Sequence, residues 1–288
     1  MSLKYQSPSD ISGFLKIHGL AMSKRFGQNF LMEPSIRRNI VELIEPGERD
    51  RVWEIGAGLG ALTSLLTDRV GSLTVFEIDR GFSEALLELF AGKPGFSLVT
   101  GDFFKTWKRT LEETGPPDKI LGNLPYNSAS QIIADLVENG PAGVPMVFTV
   151  QKELAGRILA KPGTKAYSSF SVLCGTFVTA RRCFDIQPGA FFPRPEVVST
   201  VIRLEPGMPY PVKDRPFYLG FIRKIFNSRR KTLMNNLVSG YGLLSDKKEK
   251  ISGMLAVMGI DPLRRSETLT VEQIIKCADN VQAVLESM

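Results

Sequence analysis

Residues 34–45 (PSIRRNIVELIE) open on a proline and place Ile36, Ile40 and Ile44 at fourfold spacing, the pattern of a helix with one buried edge. Short apolar runs then alternate with helical patterns. RVWEI (51–55), SLTVF (72–76), FSLVT (96–100), KIL (119–121) and PMVFTV (145–150) read as buried strands. ALTSLLTDRV (61–70) lies between the first two, and GFSEALLELF (81–90) between the second and third. Both have helical periodicity. Strands alternating with helices predict a parallel sheet covered on both faces. After residue 165 the pattern changes. Residues 168–178 and 197–204 are β-rich and are expected as antiparallel additions at the sheet edge. Pro206, Pro209, Pro211 and Pro216 mark a break, beyond which 217–238, 247–259 and 271–287 read as helices. The expectation is two domains, an α/β domain over residues 1–205 and a small all-helical domain over 206–288.

Composition removes several classes of function. The 288 residues are 43% hydrophobic and 23% charged, ordinary values for a globular chain. No stretch approaches the roughly 18 consecutive apolar residues of a membrane span. The first 19 residues lack the pattern of a secretory leader. Cys174, Cys183 and Cys277 form no CxxC pair, and His18 is the lone histidine. Disulfides, a metal site and Ser-His or Cys-His nucleophiles are therefore not expected, and the cytoplasm is the expected compartment. Charge is uneven. Residues 206–288 hold 13 Lys and Arg against 8 Asp and Glu, while residues 1–205 hold 23 against 22. A localised basic surface suits a polyanion, and Arg223, Lys224, Arg229, Arg230 and Lys231, close together in one helical pattern, are its candidate contacts. The competing reading is a solvated basic face or domain packing.

Strand 51–55 runs into Gly56-Ala57-Gly58-Leu59-Gly60-Ala61, a turn that lets a ligand approach the backbone closely. Glu77 ends the second strand, 21 residues after Gly56, where a carboxylate can accept from ribose hydroxyls. Asp102 follows the third strand, where an acceptor can meet an adenine amino group. Either acid alone reads equally well as a helix cap or a solvated loop residue. Gly56-x-Gly58-x-x-Ala61 also satisfies the dinucleotide pattern, so this much leaves NAD open.

Asn123-Leu124-Pro125-Tyr126, after the fourth strand, favours a different cofactor. An adenine amino nitrogen is a poor nucleophile because its lone pair is delocalised into the ring. The Asn123 side-chain oxygen and the Leu124 carbonyl can draw it towards sp³ character, Pro125 fixes the turn, and Tyr126 can stack on an extruded base. A sulfonium donor supplies electrophile and leaving group, so the enzyme mainly positions.

In this form the motif resembles that of the ribosomal RNA adenine N6-dimethyltransferase family. Gln28-Asn29-Phe30-Leu31, Glu54 to Thr63, Gln151-Lys152-Glu153, Ala190 to Ser199, Arg229 to Leu233 and Arg265 to Leu269 resemble further family segments in the expected order. The resemblance implies a Rossmann-like class I S-adenosylmethionine-dependent methyltransferase fold. It implies cofactor contacts from Asn29, Leu31, Gly56, Gly58, Glu77, Asp102 and Asn123, and it gives Phe191 the second face of the target base, opposite Tyr126. The implied reaction dimethylates two adjacent adenines in a loop near the 3′ end of small-subunit (16S) ribosomal RNA, within a pre-ribosomal particle and with a part in subunit biogenesis. A monomer is expected. Ala57 replaces a frequent proline, and Ser128 stands where a branched apolar residue is usual. Residues 1–20 receive no role. Three other readings compete: a large-subunit adenine methyltransferase of the macrolide-resistance type, usually with Ile at the Leu124 position; a nucleic-acid-binding assembly or transcription factor; and an NAD-dependent oxidoreductase, which would need a hydride-transfer His or Tyr-x-x-x-Lys set that is missing.

Overall fold

The computed structural model describes residues 3–22, 28–207, 210–243 and 245–287; Pro209, one of the four prolines read as a break, lies outside them. In chain order the elements are α1 (Pro8–Ile17), β1 (Phe30–Leu31), α2 (Pro34–Glu42), β2 (Arg51–Ile55), α3 (Thr63–Leu66), β3 (Ser72–Glu77), α4 (Arg80–Phe90), β4 (Phe96–Thr100), α5 (Phe103–Thr114), β5 (Lys119–Asn123), α6 (Ala129–Asn139), β6 (Met146–Gln151), α7 (Lys152–Ile158), α8 (Ser169–Phe177), β7 (Val178–Ile186), β8 (Phe191–Phe192), β9 (Ser199–Pro206), α9 (Arg215–Ile225), α10 (Leu233–Tyr241), α11 (Ser245–Val257) and α12 (Val271–Glu286).

Seven strands form one sheet in the order β4-β3-β2-β5-β6-β9-β7. The first five are parallel, and β9 runs antiparallel to β6. The five parallel strands fall where the apolar runs predict them; β2, β3, β5 and β6 are covered on both faces and so apolar at successive positions, while β4, at the sheet edge, is only partly covered. From β2 the chain moves outward through β3 and β4, then returns to the other side of β2 with β5. That reversal opens a crevice beyond the carboxyl ends of β2 and β5. The glycine turn leaves β2 there, and Asn123-Leu124-Pro125-Tyr126 leaves β5 beside it. The core of the α/β unit gathers Ile40, Val41, Val52, Leu66, Val75, Leu86, Leu121, Val147 and Val201.

The chain divides into two compact units, Met1–Ala155 with Ala180–Pro206, and Gly156–Thr179 with Gly207–Met288. A single cut after residue 205 therefore leaves 156–179 on the wrong side. Its sequence is also not the strand expected over 168–178 but α8. The run SFSVLCGTF mixes Phe170, Val172, Leu173, Cys174 and Phe177 with Ser169, Ser171, Gly175 and Thr176, and so short a buried run has no period that separates strand from helix. Helix wins locally at its start, where the Ser171 hydroxyl accepts the Ser168 N–H at 3.1 Å. In the helical unit the Thr176 hydroxyl donates to the Val172 carbonyl at 2.7 Å and lies 2.8 Å from the Tyr218 hydroxyl of α9.

Two other expectations change. The helix over 61–70 shrinks to α3, because the chain is still turning through Leu62. The single helix over 217–238 is two, α9 and α10. Thr232 caps α10 by accepting the Asn235 N–H, and the Asn236 amide donates to the Ile225 and Ser228 carbonyls at 2.9 and 3.0 Å. Those bonds hold the intervening turn, so Arg229, Arg230 and Lys231 sit in a loop, not on the helix that carries Arg223 and Lys224.

Thr176→Val preserves shape but strands the buried Tyr218 hydroxyl. It should cost about 1–3 kcal/mol, read as a lower urea midpoint at constant m-value. An unchanged midpoint would mean that this pair contributes nothing to holding α8 on α9.

Candidate active site

Three adjoining depressions follow the carboxyl edge of the sheet. The central one is walled by Asn29, Leu31, Gly56, Gly58, Glu77, Asn123, Leu124, Pro125 and Tyr126, among others. A second shares Gly56, Ile78 and Pro125 with it and adds Asp102 and Phe104. A third shares Gln28, Asn29 and Tyr126 and adds Gln151, Pro193 and Glu196. The shared walls make one cleft, with Tyr126 between its central and third parts. Every cofactor residue expected from sequence lines this cleft, as does the whole Asn123–Tyr126 motif.

Phe191 does not line any of these three depressions. It is 2% exposed and packs in the core cluster with Leu31, and β8 pairs with β1 at Leu31↔Phe191. A ring stacks on a base only through a free face, and in this conformation Phe191 presents none. In this conformation the ring is engaged in packing, and the stacking role expected of it requires the ring to be uncovered.

The glycine turn has the backbone a ligand cradle requires. Gly56, Gly58 and Gly60 have φ of 72°, 59° and 85°, and a Cβ on Gly58 would sit 3.0 Å from the Phe30 ring. Glu77 closes the turn from β3. Its carboxylate accepts the Gly58 N–H at 2.7 Å and the Asp79 N–H at 2.9 Å. Burial pushes the Glu77 carboxyl up to about 7, against the pull of these two N–H donors. Glu54, beneath the turn, is likewise pushed up to about 7 by burial, while Thr63 donates to it at 2.7 Å. Asp102 caps α5 by accepting the Phe104 N–H through Oδ1.

In the motif turn, the Asn123 amide nitrogen donates to the Asn29 carbonyl at 2.9 Å. That bond orients the amide, whose oxygen is its acceptor. The Tyr126 hydroxyl shares a 2.6 Å hydrogen bond with Ser199, the first residue of β9. Burial raises the Tyr126 pKa, and the bond to Ser199 opposes this. Ser199 escapes a reading by sequence because it is 73 residues away and fully buried. Only its place in the Ala190–Ser199 segment hinted at it.

Four of the five basic candidates, Arg223, Arg229, Arg230 and Lys231, are exposed, and Lys224 is half-buried. Lys224 lies 3.7 Å from the centre of the Tyr241 ring. Arg229 donates to the Lys165 carbonyl at 2.6 Å and is 3.6 Å from Glu267. Both are engaged inside the helical unit. The Lys231 amine lies 3.4 Å from the Ser239 hydroxyl. Among the described residues, no group of three His, Cys, Asp or Glu is placed to hold a metal, and no helix is long and apolar enough to cross a membrane.

The family model of ribosomal RNA adenine dimethylase matches residues 19–277. A ribosomal RNA small subunit methyltransferase A from Treponema denticola is 39% identical over 283 residues, covering 96% of this chain and 94% of the relative. One of the same name from Borrelia garinii subsp. bavariensis is 39% identical over 288 residues, covering 98% and 97%. In fold the chain is similar to a dimethyladenosine transferase from Plasmodium falciparum, with a TM-score of 0.76 and 22% identity over 88% of this chain and 97% of that one. It is also similar to the 23S rRNA methyltransferase ErmE, with a TM-score of 0.62 and 21% identity over 88% and 99%. These two likenesses establish the class I methyltransferase architecture; they do not separate small-subunit from large-subunit enzymes. The family match and the curated relatives decide the family: the chain belongs to the ribosomal RNA adenine dimethylases.

Proposed function

We propose that the protein transfers methyl groups from S-adenosylmethionine to the N6 atoms of two adjacent adenines of small-subunit ribosomal RNA, acting in the cytoplasm as a monomer on a pre-ribosomal particle. The observation that carries this reading is the single cleft in which a glycine cradle, two acids at successive strand ends and the Asn123–Tyr126 turn meet. The identity to small-subunit enzymes supports the choice of RNA over the large-subunit alternative.

The residues present fit the methyl donor. Glu77 is placed for ribose hydroxyls, Asp102 retains a carboxylate oxygen for an adenine amino group, and Ile78 and Phe104 offer apolar flanks for the purine. Asn29, Leu31, Gly56 and Gly58 line the remainder. When bound, the donor supplies an electrophilic methyl group with its own leaving group. The chain's part is positioning. Tyr126, held by Ser199, stacks on the target base. The Asn123 oxygen and the Leu124 carbonyl accept the two amino hydrogens and turn the nitrogen lone pair out of the ring. After the first transfer a single N–H remains, so one acceptor suffices to orient the second.

Asn123→Ala should lower single-turnover methylation by about 10²–10³-fold, with RNA affinity nearly unchanged. Methylation within a few-fold of wild type would remove Asn123 from the chemistry.

Ribose hydroxyls donate best to an ionised carboxylate, whereas the free protein holds the Glu77 proton up to about pH 7. Affinity for S-adenosylhomocysteine should therefore rise between pH 6 and pH 8, and binding at pH 6 should release a proton. Titration calorimetry in buffers of different ionisation enthalpy reads both. The sign for stability is opposite. The folded state holds this proton more tightly than the ordinary value of 4.5 allows, so the free protein loses stability as pH rises from there through about 7. A flat pH profile of affinity would remove Glu77 from the ribose contact.

Arg230 and Lys231 are proposed, with Arg223, as phosphate contacts. Replacing Arg230 and Lys231 by alanine should weaken RNA binding and flatten its dependence on salt, by about one unit of slope for each phosphate no longer neutralised. Arg229→Ala should instead lower the melting temperature, since Arg229 ties Lys165 and Glu267 together. The reverse pattern would place the RNA contacts on Arg229.

A further inference from the structure

Residues 3–22 line none of the three depressions, yet they are bound to the glycine turn. The Tyr5 hydroxyl donates to the Leu59 carbonyl at 2.8 Å, a buried bond across 54 residues. Arg37, on α2, is 6% exposed. Its guanidinium lies 5.2 Å from the centre of the Tyr5 ring and donates to the carbonyls of Tyr5 and Ala61, each at 3.4 Å. Burial lowers the Arg37 pKa, and its Nε has no partner. A buried cation left partly unsatisfied is a costly way to fill space, and an aliphatic residue would fill it more cheaply. What the guanidinium adds is its grip on two carbonyls, one in the turn and one on the residue that holds the turn.

The rest of the segment keeps Tyr5 in place. Ile11, Phe14 and Leu15 of α1 pack in one cluster with Tyr5, Leu59, Ala61, Phe82 and Ala85. The His18 imidazole reaches Glu88 at 3.2 Å, and Leu20 fills the space where a Cβ on Gly81 would be. Leu59 is fully buried and absent from the cleft wall, while its neighbours Gly58 and Ala61 line it. The turn is thus held from opposite sides, by Glu77 at the Gly58 N–H and by Tyr5 at the Leu59 carbonyl. A turn of three left-handed glycines has much freedom to lose when a ligand fixes it. Holding it beforehand removes that cost from binding.

We propose that Tyr5 is a positioning residue for the cofactor site: braced by Arg37, it fixes the glycine turn in its ligand-accepting shape. The proposal rests on the reading of the cleft as an S-adenosylmethionine site. The test uses the full chain and Tyr5→Phe, which keeps the ring and its packing and removes the hydroxyl. Arg37→Met is a second variant that keeps bulk and removes both grips. For each, the Kd of S-adenosylhomocysteine should rise about five- to tenfold, the range of one lost hydrogen bond. The KM for S-adenosylmethionine should rise with it, while kcat at saturating cofactor and RNA affinity stay within twofold. Amide exchange at Gly58 and Gly60 in the free protein should quicken. A lower melting temperature with unchanged Kd and exchange would make Tyr5 a packing residue and overturn the proposal. Wild-type protein that fails to bind S-adenosylhomocysteine would overturn the cofactor reading instead. In that case the exchange rates of the free proteins still decide whether Tyr5 holds the turn.

Discussion

The site depends on how closely the ends of β2 and β5 approach one another. A Cβ on Gly122 would stand 2.4 Å from the Ile55 carbonyl oxygen, and one on Gly56 would stand 3.4 Å from the Pro125 ring. Because these positions are glycine, the turn after β2 and the turn after β5 lie side by side, and Gly56 and Pro125 belong to two parts of the cleft at once. Parallel order brings the strand ends to the same edge, and the reversal of direction at β2 leaves space above them. A larger residue at 122 would push the glycine turn and the Asn123–Tyr126 turn apart.

Around that contact the groups lining the cleft are held by hydrogen bonds from distant parts of the chain. The lone histidine lies outside the cleft and touches Glu88. Asn123 is oriented by the Asn29 carbonyl, Tyr126 by Ser199, the Gly58 N–H by Glu77 and Leu59 by Tyr5. Each partner comes from a different part of the chain. Methyl transfer from a sulfonium suits such a site, since the donor carries its own leaving group and little proton transfer needs assistance. Accuracy of placement then governs the rate.

The same economy appears in the helical unit. Basic side chains that read as one patch have different tasks once the turn between α9 and α10 is formed. Lys224 lies over Tyr241, and Arg229 ties the 160s loop to Glu267, while Arg230 projects to solvent. Charge along the chain marks a basic segment; it does not separate the cations that project to solvent from those that hold the unit together.

The sequence by itself determined the parallel strands, their order along the chain and the types of group at the site. Buried strands and short chemical motifs are written in consecutive residues, so Gly56, Glu77, Asp102 and Asn123, which line one cleft, stand out without coordinates. Tertiary structure decided what consecutive residues leave ambiguous. The run 169–177 is too short to show a period, and only its burial beside Tyr218 shows what it packs against. Phe191 reads as a stacking ring until β1 pairs with β8 and covers it. Tyr5 and Leu59, or Tyr126 and Ser199, meet across 54 and 73 residues. Local periodicity records which face of an element is buried, but the partner it meets there is set by how the chain closes on itself.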